Sequence, residues 1–296
     1  MNNINIYFLV TLAAMFWGAN FVLGGYTLHD LSPSWAAAVR FVLGAVLMLA
    51  IAMIRREQLL MPLRRYSVNY LFLGVTGIVA FNVFFFHALL YTSANNAALI
   101  MATNPLLTTL LAAVVLKERP TVRHWLALPI ALVGVAVVVT QGQLSRLLAL
   151  QFSTGDILMV VADGFWAVYN VLCRRIMPPV SSLVNTTWIM VAGALVLLSV
   201  ALGSGTHLVP LHAQAAMSMA VMVVGGTVLA YLFWSIGIAR LGAARTAIFI
   251  NLVPVFAMLL GAMIVAPPTA AQIAGGLLVL AGVAVSMLPS RRVGVV

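Results

Sequence analysis

The amino-acid sequence predicts an all-α integral membrane protein in which ten transmembrane helices form two inverted five-helix repeats. Three observations lead to this fold class: an apolar composition, ten apolar runs of membrane-spanning length, and an internal duplication of five runs. Of the 296 residues, 64% are hydrophobic and only 7% are charged, whereas a soluble domain carries roughly 25% charged residues. A water-soluble core therefore does not explain this composition.

The ten apolar runs are separated by polar breaks, and most are long enough to cross a bilayer. A crossing needs about 20 residues, because an α-helix rises ~1.5 Å per residue and the hydrocarbon core is ~30 Å thick. No Lys or Arg precedes the first run, which favours a permanent span over a signal peptide. The predicted spans cover residues 7–25, 35–54, 70–91, 94–116, 124–140, 156–172, 183–203, 213–238, 244–265 and 270–288.

The basic residues predict the orientation of the spans. In total, 13 of the 15 Lys and Arg residues lie in the loops after even-numbered spans, at the start of span 9 (Arg245) or in the C-terminal tail, where Arg291 and Arg292 are found. Loops on the cytoplasmic side carry such an excess, so both termini are predicted to be cytoplasmic. The formal net charge of +10 is then a topology signal, and a nucleic-acid partner is not expected.

Motifs for catalysis, cofactors and metals are missing from the sequence. Cys173 is the single cysteine, which excludes an intramolecular disulfide and metal-binding cysteine clusters. The sequence has no Gly-x-Ser-x-Gly elbow, no His-Glu-x-x-His pair and no phosphate-binding Gly-x-x-x-x-Gly-Lys loop. We therefore predict a non-enzymatic protein with no catalytic residues, cofactor or metal.

The two halves of the chain resemble each other at a shift of 149 residues. Phe16-Trp17 falls on Phe165-Trp166, Gly77 on Gly226 and Pro105 on Pro254, and the string 134–137 matches 282–285 after one gap. This predicts a first repeat over 1–141, a connector over 142–154 and a second repeat over 155–296. Five spans per half invert the second copy, as in secondary transporters that bind their solute near the midplane. The open alternative is that the duplication reflects ancestry alone.

Short motifs carry a family resemblance over nearly the whole chain. They are Phe16–Phe21 in span 1, Pro33 with Arg40-Phe41 at span 2, Asn104-Pro105 in span 4, Lys117–Pro120 after it, and the string from Gly134 in span 5. With ten spans in two halves, they resemble EamA-type members of the drug/metabolite transporter (DMT) superfamily, most closely the YddG-type amino acid exporters. The second half departs from this pattern, because Ala266-Pro267-Pro268 stands where the first half has an acidic loop. Glu118 therefore has no twin.

The resemblance implies a secondary transporter in the bacterial inner membrane that works by alternating access around a central cavity. Neutral amino acids, aromatic ones or methionine among them, and related small metabolites are the implied cargo, and export is the implied direction. The energy coupling stays open between proton antiport and facilitated diffusion. Because both halves lie in one chain, a functional monomer in the lipid bilayer is expected.

Polar and aromatic side chains inside the predicted spans are the candidates for substrate binding, because polar groups are costly in a bilayer. Trp17 and Asn20, three residues apart, share one helix face, and similar faces occur on spans 6 and 8. Helix packing is the alternative role for each. The predicted substrate-binding residues are Trp17, Asn20, Asn82, His87, Met101, Asn104, Trp166, Tyr169, Asn170, Tyr231, Trp234 and Asn251.

Two prolines and two charges inside the spans complete the predicted site. Pro105 and Pro254 lie near the middle of spans 4 and 9, where each is a functional hinge or a static kink. Asp163 and Arg40 lie about two turns into spans 6 and 2 from the same side. They are predicted either to form a buried ion pair or, for Asp163, to serve proton coupling or substrate contact.

The predicted cavity favours a neutral or zwitterionic amphipathic solute. A cluster of basic residues at mid-depth, which a phosphorylated sugar would need, is missing. Spans 1 to 5 contain no embedded carboxylate for a lipophilic cation. A multidrug or cation efflux carrier, a lipid flippase and a passive channel remain as alternatives.

Overall fold

Ten helical segments, α1 to α10, make up most of the chain that the structure describes. The structure is a computed structural model that describes residues 3–88, 90–92, 94–148, 153–264 and 267–288. The helices are α1 Asn3–Leu28, α2 Pro33–Ile54, α3 Leu60–Ala88, α4 Ala94–Met101 with Asn104–Val115, α5 Val122–Thr140, α6 Thr154–Ile176, α7 Ser182–Gly203, α8 Ala213–Leu241, α9 Ala243–Ala247 continued by Ile248–Asn251 and Leu252–Ile264, and α10 Ala270–Met287.

The helices have the length and composition of membrane spans. Within the described ranges, nine are long and apolar enough to cross a membrane, and α1 makes ten if its parts Ile4–Asn20 and Val22–Leu28, bent by 41°, form one span. Large apolar side chains such as Phe8, Val114 and Met263 are exposed on the outside of the bundle, where a bilayer would cover them. The predicted all-α membrane fold is confirmed.

The largest difference from the predicted spans is at α3, which begins at Leu60 and not at residue 70. Its first turns contain the exposed Arg64 and Arg65, and two adjacent charges in a sequence are typical of a loop. The helix is interrupted at Tyr66, whose backbone is non-helical (φ −127°, ψ 21°). A short amphipathic segment therefore leads into the membrane-spanning part.

The two repeats share local structure as well as sequence. Ser32 and Ser181, which are 149 residues apart, cap α2 and α7, and each side-chain oxygen accepts a hydrogen bond from a backbone N–H three residues later. Thr121 and Thr269 cap α5 and α10 in the same way. A π-helical stretch interrupts α3 at Val75–Ala80 and α8 at Met222–Leu229. Equivalent sequence positions therefore produce equivalent irregularities.

Packing follows the same twofold plan. Helix α2 packs against its equivalent α7, and α5 packs against its equivalent α10. Helix α1 contacts α8 and α9 of the second repeat, and its equivalent α6 contacts α3 and α4 of the first repeat. Small residues allow the α5–α10 contact, because Gly134 and Gly275 face each other's backbones. The division at the 142–154 connector stays a prediction. The segment Leu144–Leu148 is helical, whereas 149–152, Ala266, Arg291 and Arg292 lie outside the described residues.

Candidate functional site

A central cavity of about 1000 Å³, its mouth included, lies between the two repeats. Its wall includes Gly24 and Leu28 at the C-terminal end of α1, Ala36 near the start of α2, and Phe86 near the end of α3. All four lie towards one end of the bundle. The loops at that end contain few basic residues, so we call it the arginine-poor end. The cavity therefore opens towards the arginine-poor end.

Aromatic rings from both repeats form the bottom of the cavity. The twin residues Trp17 and Trp166 meet edge to face with ring centroids 5.3 Å apart, and Trp234 lies 4.9 Å from Trp17. Trp17 Nε1 donates a hydrogen bond to the Gly226 carbonyl at 3.0 Å. Such contacts contribute beyond simple burial, by about 0.5–1.5 kcal/mol for a pair. The rings thus form a rigid apolar surface at the pseudo-twofold axis.

Polar groups lie around these rings. Asn82 Nδ2 donates to the Ile78 carbonyl at 2.7 Å, and the Tyr231 hydroxyl donates to the Gly77 carbonyl at 3.4 Å. Among the described residues, neither Asn20 Oδ1 nor Trp166 Nε1 has a hydrogen-bond partner, although both atoms are buried. Buried polar atoms are normally paired. The wall therefore offers one acceptor and one donor with unused hydrogen-bonding capacity.

The opposite, arginine-rich end of the bundle is closed. Ala112 of α4, Val171 of α6, and Ala243 and Ala244 of α9 pack together there as a small buried cluster. The Glu118 carboxylate accepts hydrogen bonds from the backbone N–H groups of Ala243 and Ala244 at 3.3 and 3.4 Å. The structure therefore holds the cavity in a one-sided state.

A chain of polar side chains runs behind the aromatic rings. Asn104 Nδ2 donates to Asp163 Oδ1 at 2.9 Å, and Thr108 donates to Asn104 Oδ1 at 3.1 Å. Asn170 Nδ2 then donates to the Thr108 hydroxyl at 3.4 Å, and Trp234 Nε1 donates to Asn170 Oδ1 at 2.8 Å. This chain connects the fully buried Asp163 to the ring that contacts Trp17.

The predicted ion pair between Arg40 and Asp163 is wrong. Arg40 faces α8, where its Nε donates to Thr227 Oγ1 at 2.9 Å. Asp163 faces α4 and accepts from Asn104 and Thr103. The two residues lie at similar depths, but they point towards different helices. Depth was readable from the sequence, whereas the direction around the helix axis was not.

The structure places six of the twelve predicted substrate-binding residues in the cavity wall: Trp17, Asn20, Asn82, Met101, Trp166 and Tyr231. The other six lie elsewhere. Asn104, Asn170 and Trp234 belong to the polar chain, and Tyr169 packs against Gly77. His87 is exposed, with Nδ1 2.7 Å from the Val83 carbonyl, and Asn251 is buried in α9.

Further wall residues were missed at the sequence level. Gly24, Thr27 and Leu28 continue the face of α1 that begins at Trp17, and their helical spacing was a usable signal. Phe81, Phe85 and Phe86 line the α3 side. Met222, Ile250 and Val253 had no signal, because they are ordinary apolar residues within apolar runs. Arg40 also lines the cavity, although its predicted role was different.

Both predicted hinge prolines lie where a helix changes its geometry. Helix α4 is interrupted between Met101 and Asn104, and Pro105 is the second residue of its second part. Pro254 lies just after the 3₁₀ segment Ile248–Asn251 of α9. A second cavity of about 800 Å³ lies beside these breaks, between α4, α5, α9 and α10. Whether the breaks move during transport stays a prediction.

Metal-binding chemistry has no support in the described part of the chain. It contains no group of three or more His, Cys, Asp or Glu residues that could hold a metal ion. The arrangement instead suits non-covalent binding of one small amphipathic molecule.

Comparisons with known proteins agree with the fold. The sequence model of the EamA-like transporter family matches residues 4–140 and 153–288. The chain is 39% identical over 287 residues to the uncharacterized transporter YyaM of Bacillus subtilis, covering 96% of this chain and 93% of that protein. It is 27% identical over 297 residues to a Salmonella typhimurium protein named "Probable amino-acid metabolite efflux pump", covering 96% and 95%. A solved structure with 21% identity superposes with a TM-score of 0.79 over 94% of this chain and 95% of that chain, which shows the fold.

Proposed function

The chain belongs to the EamA-like transporter family, and we propose that it exports neutral amino acids by alternating access around the central cavity. Family membership confirms two predictions: the protein is of the EamA type, and it is a multi-pass membrane transporter of small molecules and not an enzyme. Amino acids as the substrate, export across the bacterial inner membrane with both termini cytoplasmic, function as a monomer, and the binding residues are our proposals.

The single observation that carries the proposal is the one-sided cavity with an aromatic bottom. Small-molecule sites are mostly apolar and aromatic, with a few polar groups that set orientation. This cavity combines Trp17, Trp166 and Phe81 with Asn20 and Tyr231. It is open at one end and closed at the other by the Ala112 cluster and Glu118. We therefore propose that it is an outward-facing state, with the arginine-rich end in the cytoplasm.

The Salmonella relative supports the amino acid assignment by its name. Multidrug efflux of lipophilic cations is the second candidate. It would require an embedded carboxylate in the cavity wall, whereas the described wall contains Arg40 and no Asp or Glu. We therefore place cation efflux and lipid scrambling among the outcomes that would contradict the proposal.

The test is uptake of labelled methionine, phenylalanine, threonine and a lipophilic cation into proteoliposomes. We expect saturable amino acid uptake by wild type and a loss of about tenfold or more in Trp166→Ala, because the ring forms the binding surface. Trp166→Phe keeps an aromatic ring and should fall between them. The matched control is Trp125→Ala, since Trp125 is exposed on the outside of α5. Cation uptake alone, or lipid scrambling alone, would overturn the amino acid proposal.

Asp163 is the proposed coupling residue. Its carboxyl is fully buried, has no cationic partner among the described residues, and is joined through the polar chain to Trp234, whose ring contacts Trp17 of the cavity wall. Buried ionisable groups in membranes often belong to proton relays.

Replacing Asp163 with Asn removes the ionisable group and keeps its size. We expect this variant to lose accumulation driven by a pH gradient while downhill exchange stays within about threefold, because the solute contacts are untouched. Gradient-driven accumulation that survives in Asp163→Asn would exclude this role. Glu57→Gln, in a loop at the arginine-rich end, is the control.

A further inference from the structure

Arg40 is a buried cation in the cavity wall without a counter-ion. It lies two turns into α2 and is only 9% exposed. Its Nε donates to Thr227 Oγ1 at 2.9 Å, and the described residues contain no carboxylate within ion-pair distance of it. A guanidinium stays charged at every physiological pH and carries five N–H donors. One donor is thus used, and the others have no acceptor among the described residues.

An unpaired charge at this depth is costly. Taking an ion out of water costs several kcal/mol in real proteins unless it is paired, and charged residues inside membranes mark functional sites. If Arg40 only pinned α2 to α8, a neutral hydrogen-bonding residue would do so at a lower cost. The charge therefore indicates a function that requires a cation.

The contacts of Arg40 hold its guanidinium in a defined orientation. The Thr227 hydroxyl that accepts from Nε also donates to the Met222 carbonyl at 3.1 Å, so its lone pair faces Arg40. The Phe41 ring lies 4.9 Å from the centre of the guanidinium. Because Nε is held at Thr227, the terminal nitrogens are the part of the side chain left for the cavity that Arg40 lines.

The other unused polar atoms in the wall complement this cation. Trp166 Nε1 is a second free donor, and Asn20 Oδ1 is a free acceptor, both buried and both without partners among the described residues. A carboxylate accepts hydrogen bonds from guanidinium and indole N–H groups, whereas an ammonium group donates to an amide oxygen. A zwitterionic head group carries both complementary groups, of which the carboxylate matches Arg40, and the aromatic rings would hold its apolar part.

We propose that Arg40 binds the carboxylate of the transported solute and thereby restricts the cavity to carboxylate-bearing molecules. This inference rests on the proposed function in taking the central cavity as the solute site, and it names the chemical group that the site recognises. One fixed guanidinium suits the single charge of a carboxylate. A phosphate monoester would call for further cations, and Arg40 is the one basic residue in the described wall.

The test is calorimetric binding to the purified full-length protein with four ligands of similar shape. These are phenylalanine, phenylacetate, phenylalaninamide and phenethylamine, of which only the first two carry a carboxylate. In wild type we expect the two carboxylates to bind about tenfold to a hundredfold more tightly than phenylalaninamide and phenethylamine, which keep the amine and lack the carboxylate; this is the range for a hydrogen bond to a charged group. This measurement needs no variant, so it is independent of folding defects.

Variants then assign the preference to one side chain. Arg40→Gln should weaken phenylalanine binding by about tenfold to a hundredfold and leave phenethylamine within about threefold. Arg40→Lys keeps the charge without the planar fork and should be intermediate. Arg64→Gln, an exposed arginine far from the cavity, should behave as wild type. Elution as a single species on size exclusion confirms folding of each variant.

The outcomes separate this inference from the proposed function. Equal binding of phenylalanine and phenylalaninamide by wild type, or an unchanged preference in folded Arg40→Gln, overturns the role of Arg40 even if amino acids are transported. Carboxylate binding that depends on Arg40, without amino acid uptake in proteoliposomes, supports the inference and overturns the amino acid proposal. Failure of wild type to bind any of the four ligands overturns both.

Discussion

The α2–α8 contact and the α7–α3 contact occupy equivalent places in the two repeats, yet their chemistry differs. In the first contact, Gly44 of α2 packs against Thr227 of the α8 π-helix, where an added Cβ would lie 2.8 Å from Thr227 Cγ2. In the second, the twin Gly193 packs against Ile78 of the α3 π-helix, with a corresponding distance of 2.7 Å. Both glycines permit a close approach of two helices. The backbone arrangement has therefore been kept in both copies.

The side chains beside these glycines have not been kept. The first contact contains the hydrogen-bonded pair of Arg40 and Thr227. At the same shift of 149 residues, the second contains Ile189 and Ile78, both fully buried. Only the first contact borders the central cavity. The comparison indicates that packing fixes the twofold framework, while the hydrogen-bonded polar pair beside the cavity occurs in one copy only.

Ile189→Arg should have the largest effect on stability, because it places a charge in the α7–α3 contact, where Ile78 offers no hydrogen-bond acceptor. Breaking a buried pair and leaving one ion uncompensated costs about 3–5 kcal/mol, and we expect a similar loss here. The measurement is the unfolding midpoint and the monodisperse fraction in detergent, with Ile189→Leu as control. Adding Ile78→Thr, which recreates the acceptor of the first contact, should recover part of the loss. An Ile189→Arg protein as stable as wild type would contradict the conclusion that only the α2–α8 contact accommodates an arginine.

Glu118→Gln should have an intermediate effect, because it weakens the contact between Glu118 and α9 that closes the arginine-rich end and has no equivalent at the other end. Glu118 accepts from the N-terminal N–H groups of α9, and its twin position holds Pro267. A carboxylate at a helix N-terminus contributes about 0.3–1 kcal/mol, so its loss should favour opening of the arginine-rich end by about twofold to fivefold.

The measurement for Glu118 uses an Ala112→Cys, Cys173→Ser background, since Ala112 is buried in the closing cluster. Its maleimide modification from the arginine-rich side should be faster in Glu118→Gln and unchanged in the control Glu57→Gln. Equal rates in all three proteins would show that Glu118 does not hold this end closed.

Features with a strong local signal were predictable from the sequence. Apolar length placed ten spans, and the shift of 149 residues matches the paired caps and π-helices. The start of α3 was missed because Arg64 and Arg65 resemble a loop, although an amphipathic segment at a membrane surface tolerates them.

The site was predictable only in part, because hydropathy gives the depth of a residue and not its direction around the helix. Trp17, Asn20 and Trp166 were found because large or polar residues are rare at mid-span. Asn104 and Asp163 are also polar residues at mid-span, yet they form a hydrogen bond with each other between α4 and α6, away from the cavity wall. Distinguishing the two cases requires knowledge of which helices are neighbours.

Asp30→Asn should have the smallest effect, since it alters a contact between exposed loops at the mouth of the bundle. Asp30, between α1 and α2, accepts hydrogen bonds from the backbone N–H of His212 at 2.8 Å and from its ring Nδ1 at 3.0 Å. These bonds, the backbone one foremost, hold the pKa of Asp30 below its ordinary value. The twin position holds Pro179, so this contact is also confined to one copy.

The sign of the pH dependence follows from the lowered pKa. An acid whose folded-state pKa lies below its unfolded value stabilises the fold above the unfolded pKa, and this contribution disappears as pH falls through the folded value. Wild type should therefore unfold at a slightly higher temperature than Asp30→Asn at pH 6, and the difference should vanish as the pH is lowered below the ordinary range of a carboxyl group. A difference in unfolding temperature that persists in acid would show that Asp30 acts through its shape and not its charge. The loops at the mouth would then be held together by other bonds, such as the one that Trp35 Nε1 donates to the Thr206 carbonyl.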